Sequence, residues 1–237
     1  MFRKSKADEI AKFFTATLAK NELAVYYLEK SGFIVRTTNE TVIIDPANFL
    51  KKDEIVALKT VNLLLFTHSH WDHFNSGNTV AIFKATAAPI IAETKVANKL
   101  KGKIPADKLT SAESGKTYTF GGITVAAIQG IHLGPIMLYH ARMGDLAIFH
   151  GGDSAYVPLT EYPSDIAFLP TGRGSPTASP EKAFRMASDL KPQVAIAMHG
   201  SEKQKQQFQQ KVKEGMHNTT VLIIDSHTAK TITLKTK

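Results

Sequence analysis

The chain contains no cysteine. Disulfides and thiolate-bound metals are thereby excluded, and any metal must be held by His, Asp or Glu. The same absence fits a cytoplasmic protein. Tryptophan is nearly missing as well, since Trp71 is the single example. No apolar run approaches the roughly 18 residues that span a bilayer, so a soluble chain without a transmembrane segment is expected. The opening stretch MFRKSKADEIAKFFTATLAK lacks the unbroken apolar core of a signal peptide, because Asp8, Glu9 and Lys12 interrupt it. Ile10, Phe13, Phe14 and Leu18 recur at helical spacing instead, which predicts an amphipathic helix over about residues 6–20. Linkers, repeats and low-complexity breaks are also missing, so residues 1–237 are expected to form one domain.

What is present is ordinary for a globular protein. A hydrophobic share of 43% against 21% charged residues excludes disorder. The formal charge of +8 raises the question of a nucleic-acid partner. The lysines, however, are spread along the chain, and no base-reading motif accompanies them. A solvated basic surface and a small, anionic substrate are the expectation, and homo-oligomerisation is compatible with the composition.

Apolar runs alternate with turn signals. Val42–Ile44 is β-branched throughout, and Val61–Phe66 is an apolar run interrupted only by Asn62, the pattern of a strand covered on both faces. Helices are expected around Val80–Lys84 and Glu93–Leu100, with a short strand at Pro89–Ala92. The second half repeats this grammar, with strands at Lys116–Phe120, Ile123–Ile128, Ile136–Arg142, Leu146–His150, Ile166–Leu169 and Val194–Met198. Ser179-Pro180 and Ser201 are N-terminal helix signals, and Val221–Ile224 and Thr231–Leu234 close the chain as strands. An α/β class follows, with sheets covered by helices.

Directly behind the apolar run Leu63–Phe66 stand His68, His70, Asp72 and His73, in the order H-x-H-x-D-H. In extended chain, residues two apart point the same way, so His68 and His70 can reach one metal. Asp72 and His73 follow after the chain begins to turn and can address a second position. The spacing suits two adjacent metals better than one. Further ligand types stand at similar stations: His132 beyond Ile123–Ile128, Asp153 beyond Leu146–His150, and His199 beyond Val194–Met198. Strand exits gathered on one rim are where loops build a site.

The motifs THSHWDH, HGGDS and AMHG resemble the successive motifs of the metallo-β-lactamase superfamily. That resemblance implies an αββα four-layer sandwich and a dinuclear site. It would give one metal to His68, His70 and His132 and the other to Asp72, His73 and His199, with Asp153 bridging. Within the superfamily, Pro170, Gly172, Thr177, Pro180 and Ala183 look like the P-x-G loop and helix start of a particular branch. That branch is related to ascorbate-6-phosphate lactonase and to phosphodiesterases of N-acyl phosphatidylethanolamine. The chain departs from it at Glu29-Lys30, where Gly-His is common, and at the bulky Trp71.

Two divalent cations, offset by Asp72 and Asp153, leave a positive centre in which bound water is deprotonated near neutral pH. Hydrolysis of an ester, lactone or phosphodiester by metal-bound hydroxide is expected, with Asp72 or another, unassigned group assisting proton transfer. Zinc is the default metal, and manganese, iron and nickel suit the same donors. Asp45 is expected either to orient a ligand histidine or to start a turn. His150 is expected as a strand or supporting residue, Trp71 and Tyr156 as pocket walls, and Arg173 as an anion clamp or a loop residue. His217 and His227 read as surface residues. Two other functions fit the superfamily: a nuclease acting on RNA or DNA, and a non-hydrolytic di-metal redox or metal-binding protein.

Overall fold

The computed structural model describes residues 4–172 and 178–235. The chain divides into two compact units, one formed by the chain up to Ser111 together with the segment from Asp225, the other by Ala112–Ile224.

The first unit begins with helix α1 (Ala7–Thr15) and the antiparallel strands β1 (Glu22–Glu29), β2 (Gly32–Arg36) and β3 (Thr41–Ile44). It continues through α2 (Lys52–Val56), β4 (Leu63–Phe66), α3 (Ser76–Thr86), β5 (Ile90–Ala92), α4 (Thr94–Leu100) and β6 (Leu109–Ser111). Strands β3 to β6 run parallel, and each crossover carries a helix, as parallel neighbours require. The second unit repeats the plan. An antiparallel meander, β7 (Thr117–Phe120), β8 (Ile123–Gln129), β9 (Met137–Met143) and β10 (Leu146–His150), leads into parallel β11 (Ile166–Pro170), β12 (Val194–Met198) and β13 (Thr220–Leu222). Helices α5 (Pro180–Leu190) and α6 (Glu202–Gly215) connect the last three. The chain then returns, and β14 (Thr228–Thr233) pairs antiparallel with β1. Each mixed sheet thus has seven strands, ordered β14-β1-β2-β3-β4-β5-β6 and β13-β12-β11-β10-β9-β8-β7.

Alternation explains the packing. Ala24, Tyr26 and Leu28 of β1 join Ile10 and Phe13 of α1 in one core cluster. The residues between them, Leu23, Val25 and Tyr27, are buried as well. Strand β4 is wholly buried, as its unbroken apolar run predicts. In the second unit, Phe149, Ala167, Leu169, Ala195 and Ala197 pack with Met186, Leu190, Phe208 and Val212 of the two helices. Ser179 accepts from Lys182 N at the start of α5, with Pro180 at its first turn. Ser201 and Gln204 form a capping box on α6.

Several expectations need revision. The N-terminal helix stops at Thr15, because Ala16 is extended and carries the chain towards β1. Leu18 is buried nonetheless, which is why its spacing mimicked a longer helix. Helix α2 and strand β6 are too short to leave a periodic signature. His217 is exposed, but His227 is buried, and its backbone N–H donates to Tyr27 O at 2.6 Å.

Phe208 has no exposed surface at the centre of the second core. Phe208→Ala is expected to lower stability by about 3–5 kcal/mol in urea unfolding.

Candidate metal centre

In parallel strands the carboxyl ends share one edge. In the first unit, Asp45 follows β3, Thr67-His68 follows β4 and Glu93 follows β5. In the second, Gly151–Asp153 follows β10, Thr171-Gly172 follows β11 and His199 follows β12.

The centre of the first rim is Asp45, fully buried. Its Oδ1 accepts from Thr67 N at 2.8 Å, and its Oδ2 accepts from Thr67 Oγ1 at 2.5 Å and faces His73 Nδ1 at 2.7 Å. A carboxylate can only accept, so the proton between them sits on His73 Nδ1 and the ring's lone pair on Nε2. Thr67 has one hydroxyl hydrogen, and Asp45 takes it. The contact of Thr67 Oγ1 with His68 Nδ1 at 3.0 Å must then be donated by the imidazole. His68 is thereby fixed as the same tautomer, its lone pair also on Nε2. Its Nε2 lies 3.0 Å from His70 Nδ1.

Backbone geometry supports this arrangement. Asp45 and Ala47 adopt left-handed φ values of 44° and 43°. Asp45 N donates to Leu65 O and Ala47 N donates to His73 O, so the turn is tied to both sides of the histidine motif. A Cβ on Gly32 would lie 2.8 Å from the Asp45 carbonyl oxygen, which explains glycine in the β1–β2 hairpin. His73 and Phe74 N–H groups both donate to His70 O. The chain therefore turns at 70–74, as the motif's spacing predicts. Asp72 is half-buried in that turn, His70 is exposed, and Trp71 is 76% exposed.

The second rim is built differently. Asp153 and His199 are both buried, with Oδ2 and Nε2 3.1 Å apart. His199 holds a left-handed φ of 45°. Gly172 and Gly200 pack backbone to backbone beside it: a Cβ on Gly172 would strike His199 O, and one on Gly200 would strike Thr171 Oγ1. His150 Nδ1 accepts from Gly152 N at 3.2 Å, so this buried histidine braces the turn that presents Asp153. His132 is half-exposed in the loop after β8. Ser154 Oγ accepts from Ile131 N at 2.8 Å, and Ala155 N donates to Ile131 O at 2.8 Å. The residue before His132 is thus pinned to the residues after Asp153.

Tyr156 is engaged elsewhere. Its hydroxyl donates to Asp189 Oδ2 at 2.9 Å, a bond that holds its pKa above the ordinary value, and Arg185 lies over its ring at 3.8 Å. Arg173 and Thr177 lie outside the described residues. Thr67 and Ser154 were missed as site residues by sequence reasoning. The only signal was a hydroxyl residue beside a ligand type at a strand exit.

The donor set suits a divalent cation. Asp45, His68 and His73 also gather within 4.8 Å of one another in buried positions, but the Nδ1 atoms there carry protons, so that cluster orients the rings. Two nitrogens bound to one ion at about 2.0–2.1 Å stand about 3–3.4 Å apart, and the His68–His70 separation of 3.0 Å fits that pairing. The set is nitrogen and oxygen only, as a chain without cysteine requires.

A family model described as a β-lactamase superfamily domain matches residues 24–199. The chain belongs to this superfamily. Within it, the UPF0173 metal-dependent hydrolase of Thermococcus onnurineus is 30% identical over 169 residues, covering 65% of this chain and 72% of its own length. Among solved structures, Igni18, a metallo hydrolase from Ignicoccus hospitalis, is similar with a TM-score of 0.75 at 20% identity. That match covers 90% of this chain and all (100%) of Igni18. The metallo-β-lactamase fold protein YhfI of Bacillus subtilis matches with a TM-score of 0.69 at 14% identity, covering 90% of this chain and 100% of its own. The fold is accordingly the metallo-β-lactamase fold, two mixed sheets with flanking helices, as the motifs imply.

Thr67→Val removes the hydroxyl donor to Asp45 and the acceptor for His68. A loss of about 1–3 kcal/mol in urea unfolding is expected. Nitrogen NMR of the imidazoles should also reveal a second His68 tautomer. Gly172→Ala should displace the His199 backbone and destabilise the second unit, read by the same unfolding measurement.

Proposed function

We propose that this superfamily member is a dinuclear metal-dependent hydrolase of an ester, lactone or phosphodiester. The observation that carries the reading is the buried Asp45–Thr67 pair, which sets both His68 and His73 with their lone pairs on Nε2. A buried carboxylate that fixes imidazole tautomers is the usual support of a histidine metal site. The metal-dependent hydrolase activity of the Thermococcus onnurineus relative, as its name states it, supports the same reading. The P-x-G loop resemblance at Pro170 and Gly172 supports the class of bond.

In this reading His68, His70 and His132 would hold one cation and Asp72, His73 and His199 the other, with Asp153 serving both. Zinc is the default, with manganese, iron or nickel compatible with nitrogen and oxygen donors. Bound divalent cations supply Lewis acidity and lower the pKa of water to about 7. The chain's own residues do the rest. Asp45 and Thr67 lock the ring orientations. Gly172 and Gly200 let His199 keep its strained backbone beside Asp153. Asp72, half-buried at the turn, or another, unassigned group assists proton transfer. The positive centre favours a small anionic substrate.

The test begins with metal analysis of unchelated protein. About two metals per chain are expected, and fewer than about one after reconstitution would overturn the dinuclear reading. A screen across lactones, phosphodiesters and phosphate esters then follows, with activity abolished by chelation and restored by metal. Asp153→Ala should lower both metal content and turnover; a fully metallated and unimpaired variant would overturn its assignment.

A further inference from the structure

Lysines stand at 95, 99, 101 and 103 in the first unit, and all four are exposed. No acidic residue falls between Glu93, which is buried, and Asp107. Among the described residues none of the four lysines forms an ion pair. Helix stability explains only part of this cluster. Lys99 lies in the last turn of α4 and Lys101 is its C-cap, where cations suit the helix dipole. Lys95 lies in the first turn, where the same dipole opposes it, and Lys103 lies past the end.

Tertiary structure carries these side chains to a place that their chain neighbours do not suggest. Lys99 Nζ stands 5.8 Å from the centroid of the Phe74 ring, and Lys103 Nζ donates to Ser76 Oγ at 2.9 Å. Lys95 is one helical turn from Lys99 on the same side of α4. Phe74 N donates to His70 O, so the ring beside Lys99 and the exposed indole of Trp71 branch from one turn. All of these residues belong to the first unit. Ammonium groups are therefore gathered beside the turn that bears Trp71 and the proposed ligands His70 and Asp72.

We infer that this surface takes a short single-stranded oligonucleotide, with phosphates on Lys95, Lys99 and Lys103 and a base stacked on Trp71. Cationic side chains beside an exposed aromatic face hold single strands because every linkage carries a charge and every base a π-face. The groups offered do not distinguish ribose from deoxyribose. An anionic membrane fits less well. The exposed positions of α4 are Thr94, Lys95, Asn98 and Lys99, with no apolar side chain to insert. The inference rests on the hydrolase reading above and selects the phosphodiester among its bonds.

Metal-reconstituted protein is titrated with a labelled phosphorothioate oligothymidylate of about eight nucleotides, which resists cleavage and matches the site sizes of single-strand binders. Saturable binding at low salt is expected, with quenching of Trp71, the single tryptophan. The three lysines contribute about −2 to the slope of log affinity against log salt. Lys99→Ala/Lys103→Ala should weaken binding several-fold, reduce that slope by about 1.4 and keep its metal content. Lys203→Ala/Lys213→Ala removes two exposed charges from α6 and should bind as the parent does, which separates this surface from the overall charge of +8. Absence of binding, an unresponsive Trp71, or equal losses in the two double variants would each overturn the inference. So would lysine-dependent binding to phosphatidylserine vesicles in place of the oligonucleotide. Cleavage is scored separately on unmodified strands. Turnover of lactones or esters without strand binding sinks the surface and leaves the hydrolase standing. Strand binding without turnover of any oligonucleotide, lactone or ester sinks the hydrolase reading and leaves the surface.

Discussion

The first unit depends on one buried carboxylate. Asp45 has no exposed surface, and an ionised group in that position is tolerated only when its oxygens are saturated with donors. Thr67 and His73 supply them, from a backbone N–H, a hydroxyl and an imidazole. Other features follow from this requirement. Residues 45 and 47 accept left-handed backbone so that the carboxylate can turn towards Thr67, and Gly32 gives up its side chain so that the first hairpin can pass the Asp45 carbonyl. The strand exit of β4 then carries histidines whose protonation pattern is decided before any ligand arrives.

The second unit combines a carboxylate with steric constraint. Its strand order and directions repeat those of the first, and Asp153 after β10 stands where Asp45 stands after β3, buried beside His199. Gly172 and Gly200 bring two loops into backbone contact around His199, and His150 and Ser154 brace the turn bearing Asp153. One scaffold thus offers two ways of presenting a polar side chain at a strand end. One makes it an obligatory hydrogen-bond partner, and the other leaves the neighbouring backbone no alternative place.

Much of this was legible in the residues. The run Leu63–Phe66 pointed to a buried strand because four consecutive apolar residues, too few for a typical helix, end at a polar strand exit. The H-x-H-x-D-H spacing declared the turn at 70–74, since ligand types on both sides of a corner need the corner. Ser179 and Ser201 announced their helices through capping chemistry. The short elements were illegible, because α2 and β6 contain less than two helical turns or strand repeats. Thr67 was illegible for another reason: a threonine at a strand exit is commonplace, and only its contacts to Asp45 and His68 give it a role. The burial of His227 was hidden because the pairing of the following strand β14 with β1 brings it beside Tyr27, far away in the chain.

That pairing has a temporal consequence. Strand β14 lies beside β1, and Thr233 meets Glu22 across 211 residues of chain. During synthesis, β1 therefore emerges with one edge unpaired and waits until the entire second unit has been made. Long-range pairing of this kind slows folding and leaves an open edge prone to misassociation. The second unit, contiguous in sequence, can form while the first is still incomplete. The outer edge of β1 is then the last part of the first sheet to be closed.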